Sequence, residues 1–477
     1  MKKTLLIWAT WLLIADAQAL ELSPCYIGAD GSATSTRATC GTFTVPENRQ
    51  QPDKTIELNI AVLSSTSKER VNDPLLLLAG GPGQGTVDTF AGIAPLFEKL
   101  LPDRDVVMVD QRGTGASNPL RCEIDEDEYE ALSDPDSDAW KTWTQECHAS
   151  LDADTTQYTT STAIEDLEAV REALGYEQWN LYGGSYGTRK ALTYMRMYPE
   201  AIRAVILDSV VAQDEALGVS HEANLRSTLS RIFKKCNQDE ACQEAFGDAE
   251  QQMWKFLDQL AQQPIEMRLQ DTSTGEFETV TMTREYAVIA LRMFSYSPET
   301  MGLIPLMVSL ANHGQPETMA YQAQMMMNNL NQGLNNALEM SVTCAEDVPF
   351  MPEFTNVTNS LFGDELFELM RARCELWESI PVDPAFKEPV SSDIPTLLLA
   401  GEYDPVTPPE FAEKAMATLS NSQLLVAQGQ GHIVGTRGCM PKVLTAFIKD
   451  PQEELETDCM DNFQDLSFFI NMNGPQE

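Results

Sequence analysis

The chain has 477 residues and a formal net charge of -40, from 72 acidic against 32 basic side chains. That length exceeds one ordinary hydrophobic core and predicts either a large domain carrying an insertion or two domains. The charge excludes nucleic acid and anionic membrane surfaces as partners, because both repel a polyanion, and it admits cationic ligands. The acids are spread along the chain in short clusters such as Glu123 to Glu130, which read as solvated surface.

The first element is a leader. Lys2 and Lys3 precede an apolar run from Leu5 to Ile14, and Ala17, Gln18 and Ala19 form a small-x-small cleavage site, so residues 1–19 read as a secretory signal peptide. A membrane anchor is the alternative, but the run falls short of the roughly 20 apolar residues that cross a bilayer. The mature chain is therefore expected in a bacterial envelope, periplasmic or secreted, without stable membrane insertion. Ten cysteines behind such a leader predict disulfides. Sequence does not fix their pairing; the simplest local scheme joins Cys25 with Cys40, Cys122 with Cys147, Cys236 with Cys242, Cys344 with Cys374, and Cys439 with Cys459. Zinc is the competing reading, discounted because there is no C-x-x-C cluster and the chain has only four histidines.

Short apolar, β-branched runs then recur: "TIELNIAVL" from Thr55, "PLLLLAG" from Pro74, "DVVMVD" from Asp105, "WNLYGG" from Trp179, "AVILDS" from Ala204, "PTLLLAG" from Pro395 and "QLLVAQ" from Gln423. Each reads as a strand. Helical patterns lie between several of them, the clearest being "TAIEDLEAVREALG", with a capping box at Thr162 and Glu165 and a stop at Gly175. This alternation predicts an α/β protein with a doubly wound, mainly parallel sheet.

Between about Gln213 and Phe386 the alternation lapses into helix formers, with "FETVTM" near Phe277 as a short hairpin arm and Met325 to Met327 as part of a helix. The expected organisation is a signal peptide at 1–19, a first core part at 20–213, a helical cap insertion at 214–385 and a second core part at 386–477. The insertion should lie over the carboxyl ends of the strands, where open α/β sheets bind ligands.

The stretch Gly183-Gly184-Ser185-Tyr186-Gly187 is G-x-S-x-G between a strand and a helix, the pattern of a nucleophile elbow. A serine hydroxyl needs a base, and the base a carboxylate to orient it. In an elbow fold these follow in the order serine, acid, histidine, each after a later strand. Asp404 in "GEYDPVTPP" and His432 in "GQGHIVG" meet that order, with Glu402 as the rival acid. His148, His221 and His313 have no such setting. The tetrahedral oxyanion requires two backbone donors, for which the N–H of Tyr186 and a donor in "AGGPGQG", Gly80 first and Gly81 second, are the candidates. A phosphate loop is excluded there by the missing Gly-Lys-Ser/Thr ending.

Together, "AGGPGQG", "VDQRGTGAS", "GGSYGT", "GEYDPVTPP" and "GQGH" resemble the α/β-hydrolase serine peptidases of the prolyl aminopeptidase and tripeptidyl aminopeptidase group, including its secreted bacterial branch. The likeness spans nearly all of the mature chain. It implies an α/β-hydrolase fold with a helical cap and an exopeptidase that acts on peptide substrates with a free N-terminus, through Ser185, Asp404 and His432. It further implies that Arg112 in "VDQRGTGAS" is a structural ion-pair former, and that carboxylates of the cap hold the substrate ammonium. "TCAEDVPF" offers Glu346 and Asp347 for that role. Ala79 stands where the shorter prolyl aminopeptidases carry histidine, which points to the tripeptidyl branch. The alternative is an esterase or amidase, since the same machinery serves non-peptide acyl groups. A non-catalytic binding protein is the third class, disfavoured by the full set of triad residues. No metal or organic cofactor is implied, because triad and oxyanion hole supply nucleophile, base and electrophilic stabilisation. The oligomeric state is not legible.

Overall fold

A computed structural model describes residues 20–28, 35–124, 137–270, 275, 277–353, 360–361 and 365–474, with backbone alone at 326–332 and 365–366. The expected leader at 1–19 and most of the acidic cluster beginning at Glu123 lie outside the described residues.

The described strands are β1 (Ser23–Ile27), β2 (Thr36–Asn48), β3 (Gln51–Leu63), β4 (Leu75–Leu78), β5 (Val106–Val109), β6 (Trp179–Gly184), β7 (Ile202–Asp208), β8 (Ile265–Gln270), β9 (Phe277–Met282), β10 (Thr396–Gly401) and β11 (Ser422–Ala427). Nine of them form one sheet in the order β1-β2-β3-β5-β4-β6-β7-β10-β11. From β5 to β11 all neighbours are parallel, and β1, β2 and β3 join one edge as antiparallel partners.

The parallel core forms because its strands are apolar on both faces. Every residue of β4, β5, β6 and β10 is buried. Alternate side chains serve opposite layers, as strand geometry requires. Leu76, Leu78, Leu181 and Leu207 pack with the helices Thr160–Leu174 and Tyr186–Met197. Leu75, Leu77, Tyr182 and Ile206 pack on the other face with Ala94–Leu100 and Met440–Lys449. All seven strands expected from sequence are present. The β1–β2 hairpin partners were not expected, because β2 alternates between buried and half-exposed polar positions and has no apolar run.

The helix after Tyr158 starts earlier than its expected capping box. Its N-cap is Thr159, whose side chain accepts from the Thr162 N–H, and Thr160 is already in the first turn. Gly175 ends it in the left-handed conformation, φ 73°, as expected.

Between β7 and β10 the chain forms helices and the β8–β9 hairpin, including His221–Gln238, Ala249–Gln262, Arg284–Phe294 and Asn336–Glu346. The first three of these helices and the hairpin share a hydrophobic core that also takes in Tyr403 after β10 and Leu466 and Phe468 near the carboxyl end, whereas Ala337, Leu338 and Val342 of Asn336–Glu346 pack separately with Tyr158, Tyr186 and Trp377. Five disulfides follow the local scheme: Cys25–Cys40, Cys122–Cys147, Cys236–Cys242, Cys344–Cys374 and Cys439–Cys459. Among the described residues no helix is long and apolar enough to cross a membrane.

Candidate active site

The register of the parallel strands brings the site residues to one end of the sheet. Leu78 pairs with Gly183, Gly184 with Asp208, and Gly401 with Ala427, so the chain leaves β4, β6, β7, β10 and β11 side by side. Ser185 follows β6 directly and holds φ 54° and ψ -126°, which an L-residue rarely adopts. The flanking glycines permit that turn: a β-carbon on Gly183 would collide with the Gly187 carbonyl, and one on Gly187 with the Leu78 carbonyl. Ser185 is fixed by its N–H, which donates to the Asp208 carbonyl at 2.9 Å, and by its carbonyl, which accepts from the Thr188 N–H at 2.8 Å.

Asp404 and His432 meet. His432 Nδ1 donates to Asp404 Oδ2 at 2.8 Å, and the wholly buried carboxylate also accepts from the N–H groups of Val406 (2.9 Å) and Thr407 (2.8 Å) and from Thr407 Oγ1 (2.9 Å). Burial alone would raise the Asp404 carboxyl, but the charge of His432 and these hydrogen bonds outweigh it and hold the group below its ordinary value. An ionised carboxylate only accepts, so Nδ1 carries the proton and Nε2 keeps its lone pair. The rival acid, Glu402, is used elsewhere and accepts from the Gly429 N–H at 2.9 Å.

The histidine loop is braced from two sides. Its Val434 and Gly435 N–H groups donate to the Asp208 carboxylate at 3.0 and 2.7 Å, and the Ile433 N–H donates to Ser209 Oγ at 2.8 Å. Tyr182 adds a 2.6 Å bond from its hydroxyl to Asp208 Oδ2. From the inserted segment, Tyr296 accepts the His432 N–H on its carbonyl at 2.9 Å and sets its ring edge-on to the imidazole, centroids 5.3 Å apart. Ser185 after β6 and His432 after β11 are thus linked at one end of the sheet through Asp208 at the end of β7; the hydrogen bonds of the described residues include none between their side chains.

The oxyanion candidates flank the serine. A β-carbon on Gly80 would stand 3.1 Å from Ser185 Cβ, whereas Gly81, at φ 101°, faces Gly83, Gln84 and Leu334. The loop is pinned by Asn335, whose N–H and Nδ2 both donate to the Gly83 carbonyl at 2.9 Å. Tyr186, the first residue of its helix, is buried, and its hydroxyl pairs with Thr160 Oγ1 at 2.6 Å.

Glu346 and Asp347 are fully buried and occupied internally. Glu346 accepts from the Thr160 N–H at 2.6 Å and from Thr160 Oγ1 at 2.8 Å, and Arg189 lies 3.7 Å away. Asp347 binds Arg189 at 3.0 Å, Lys387 at 2.9 Å and the Leu217 N–H at 2.9 Å. Both carboxylates therefore tie the inserted segment to the nucleophile helix, and each of their oxygens already has a partner within the chain. Arg112 likewise makes a two-pronged pair with Asp166, at 2.6 and 2.8 Å.

A third carboxylate stands on this helix. Glu339 lies on the same helix, two turns before Glu346, and its N–H bonds back to the carbonyl of Asn335, the residue holding the Gly83 loop. Its side chain is exposed, yet burial raises its carboxyl while Arg292 and Arg373 pull it down. His221 faces the same region: burial, with the charges of Arg292 and His432, lowers it well below its ordinary value. Glu339, Tyr296, Arg292 and Asp208 carried no motif, and only their placement in the fold identifies them. Among the described residues no group of three or more His, Cys, Asp and Glu side chains could hold a metal ion.

Comparisons with known proteins agree with this architecture. Residues 73–233 match the family described as alpha/beta hydrolase fold, and residues 359–459 match the one described as TAP-like protein. The serine protease Hip1 of Mycobacterium tuberculosis is 22% identical over 471 residues, which covers 90% of this chain and 89% of that one. The proline iminopeptidase of Aeromonas sobria is 29% identical over 198 residues, 40% of this chain and 41% of the relative. Among solved structures, the proline iminopeptidase of Mycobacterium smegmatis aligns with a TM-score of 0.37 at 15% identity, over 85% of this chain and 96% of that one.

Proposed function

Because the chain is a serine hydrolase of the α/β-hydrolase fold with a TAP-like carboxyl-terminal part, we propose that it is an exopeptidase cleaving peptide bonds near a free N-terminus. The observation that carries this reading is the 2.8 Å bond from His432 Nδ1 to buried Asp404, at the same end of the sheet as the strained Ser185. Its relatedness to a serine protease and to proline iminopeptidases supports a peptide substrate.

In this reading Ser185 Oγ attacks the scissile carbonyl as His432 Nε2 takes its proton, and Asp404 stabilises the imidazolium that forms. The N–H groups of Tyr186 and Gly80, or Gly81 in its place, receive the oxyanion. His432 then gives its proton to the leaving amine, and water attacks the acyl-enzyme by the same route in reverse. Ser185 and His432 need not be bonded before substrate arrives, since such bonds tighten on binding. For the ammonium role expected of Glu346 and Asp347 we add Glu339, an exposed carboxylate on the same helix, since the oxygens of the first two already have partners within the chain. Five disulfides favour an oxidising compartment, so we place the enzyme in the periplasm or outside the cell.

The test uses the purified chain on mono-, di- and tripeptidyl amides, each with a free and an acetylated N-terminus, beside Ser185→Ala and Glu339→Gln. Cleavage limited to free amines, abolished by the serine change and weakened in KM by the glutamate change, is the expected result. Equal cleavage of acetylated amides or of simple esters overturns the exopeptidase reading in favour of an esterase or amidase.

A further inference from the structure

The same region contains a guanidinium that makes no close ion pair among the described residues, although Glu339 feels its charge. Arg292 stands in the last turn of the helix Arg284–Phe294. Its Nε is buried without a hydrogen-bond partner, and its Nη2 makes one long bond, 3.5 Å, to the Tyr296 hydroxyl. Among the described residues no carboxylate oxygen comes within ion-pair distance of it. In a chain with 72 acidic residues the missing ion pair sets it apart from two fully buried arginines: Arg112 is paired with Asp166, and Arg189, whose Nε is likewise unbonded, is paired with Asp347. A half-buried guanidinium left this way retains unused donors in a geometry that fits a carboxylate with two parallel bonds.

Its location decides which part of a ligand it can meet. Tyr296 joins Arg292 to the catalytic end of the sheet, since the phenol takes the arginine bond while the ring and the carbonyl hold His432. The charge of Arg292 is felt by both His221 and Glu339, which places it in the space those side chains share. His432 delivers its proton to the leaving amine, and Arg292 reaches that histidine through Tyr296, so the leaving portion is the part of a substrate assigned to it.

We propose that Arg292 binds a carboxylate carried by the leaving portion of the substrate, so that the favoured substrates are short peptides whose released part ends in a free C-terminal carboxylate. This rests on the exopeptidase reading above and adds the second charged end of the substrate to it. Glu339 and Arg292 then recognise opposite charges on one small zwitterion.

The experiment compares kcat/KM of the full chain on free-amine peptides of two to four residues, each as C-terminal acid and as C-terminal amide, with N-acetyl forms alongside. The wild type is expected to favour the acid about tenfold or more, Arg292→Gln to bring the ratio close to one, and Arg292→Lys to keep part of it. Equal rates on acid and amide in the wild type overturn the proposal whether or not R292Q folds, and so does an unchanged ratio in a folded R292Q. A third arm replaces Asp by Asn in the acyl part; discrimination there instead of at the C-terminus also overturns it. Cleavage of acetylated peptides as fast as free ones would instead defeat the exopeptidase reading, so the two failures are separable.

Discussion

The carboxylate of Asp208 accepts the Gly435 N–H at 2.7 Å while the carbonyl of the same residue accepts the Ser185 N–H at 2.9 Å. One residue at the end of β7 thus sets the distance between the nucleophile turn and the histidine loop. Loops alone hold such positions loosely, and small misplacements cost orders of magnitude in rate. Asp208→Asn puts an amide N–H against at least one loop donor, so we expect kcat to fall about tenfold to a hundredfold with KM nearly unchanged. Steady-state kinetics on one good substrate checks this; a change confined to KM would show that Asp208 positions nothing in the reaction.

Ser185 pays for its exposed position with backbone strain. A non-glycine residue at φ 54° and ψ -126° stores roughly 1–3 kcal/mol, and glycine is free of most of that cost. Both Ser185→Ala and Ser185→Gly should be inactive, yet the glycine variant should be the more stable of the two by about 1 kcal/mol. Urea denaturation of the pair decides, and an alanine variant equal to or more stable than glycine would remove the strain argument.

Burial raises the Glu346 carboxyl to about 7 against the pull of Arg189. A carboxyl whose folded value lies above its unfolded one contributes stability that is complete below about 4.5 and is lost as pH rises through about 7. Glu346→Gln should therefore flatten the fall of the melting temperature between those values. Parallel melting curves for the two proteins would contradict it.

Lys190 is the opposite case. Burial lowers its ammonium to about 7, with Asp110 opposing, although an unfolded lysine titrates near 10.5. Over that range the unfolded chain binds more protons, so the native state gains stability as pH rises. Lys190→Met should stabilise the protein by a few kcal/mol at pH 7 and below, with the gain shrinking toward pH 10. Chemical denaturation at pH 7 and 9.5 tests it, and a gain independent of pH would show that the charge is not the cause.

The sequence made the parallel core and the strand-end placement of Ser185, Asp404 and His432 readable because each rests on a local signal. Runs such as Leu75–Leu78 can only be buried on both faces, and Ser185, Asp404 and His432 each follow one of them. What it did not show depends on distant partners. Glu346 and Asp347 stood out correctly as unusual acids, but Thr160 lies 186 positions from the first and Arg189 lies 158 from the second, so their occupation is visible only in the fold. Thr160 turned toward Glu346 also explains why the helix begins at Thr159 and not at the expected capping box. Asp208 looks in sequence like any polar residue ending a strand, and β2 lacks the apolar run by which its neighbours were recognised.

The helix Asn336–Glu346 begins beside Asn335, which grips the Gly83 carbonyl, and ends at Glu346, which reaches Tyr186 through Thr160. A single helix therefore joins the two segments that carry the proposed oxyanion donors, with Glu339 between its ends. Admission of a ligand beside Glu339 and alignment of the donors that polarise its carbonyl become one mechanical event: a tilt of the helix as small as an ångström would detune both amides together. An incorrectly seated molecule would then meet a weakened catalyst and not merely a poor fit.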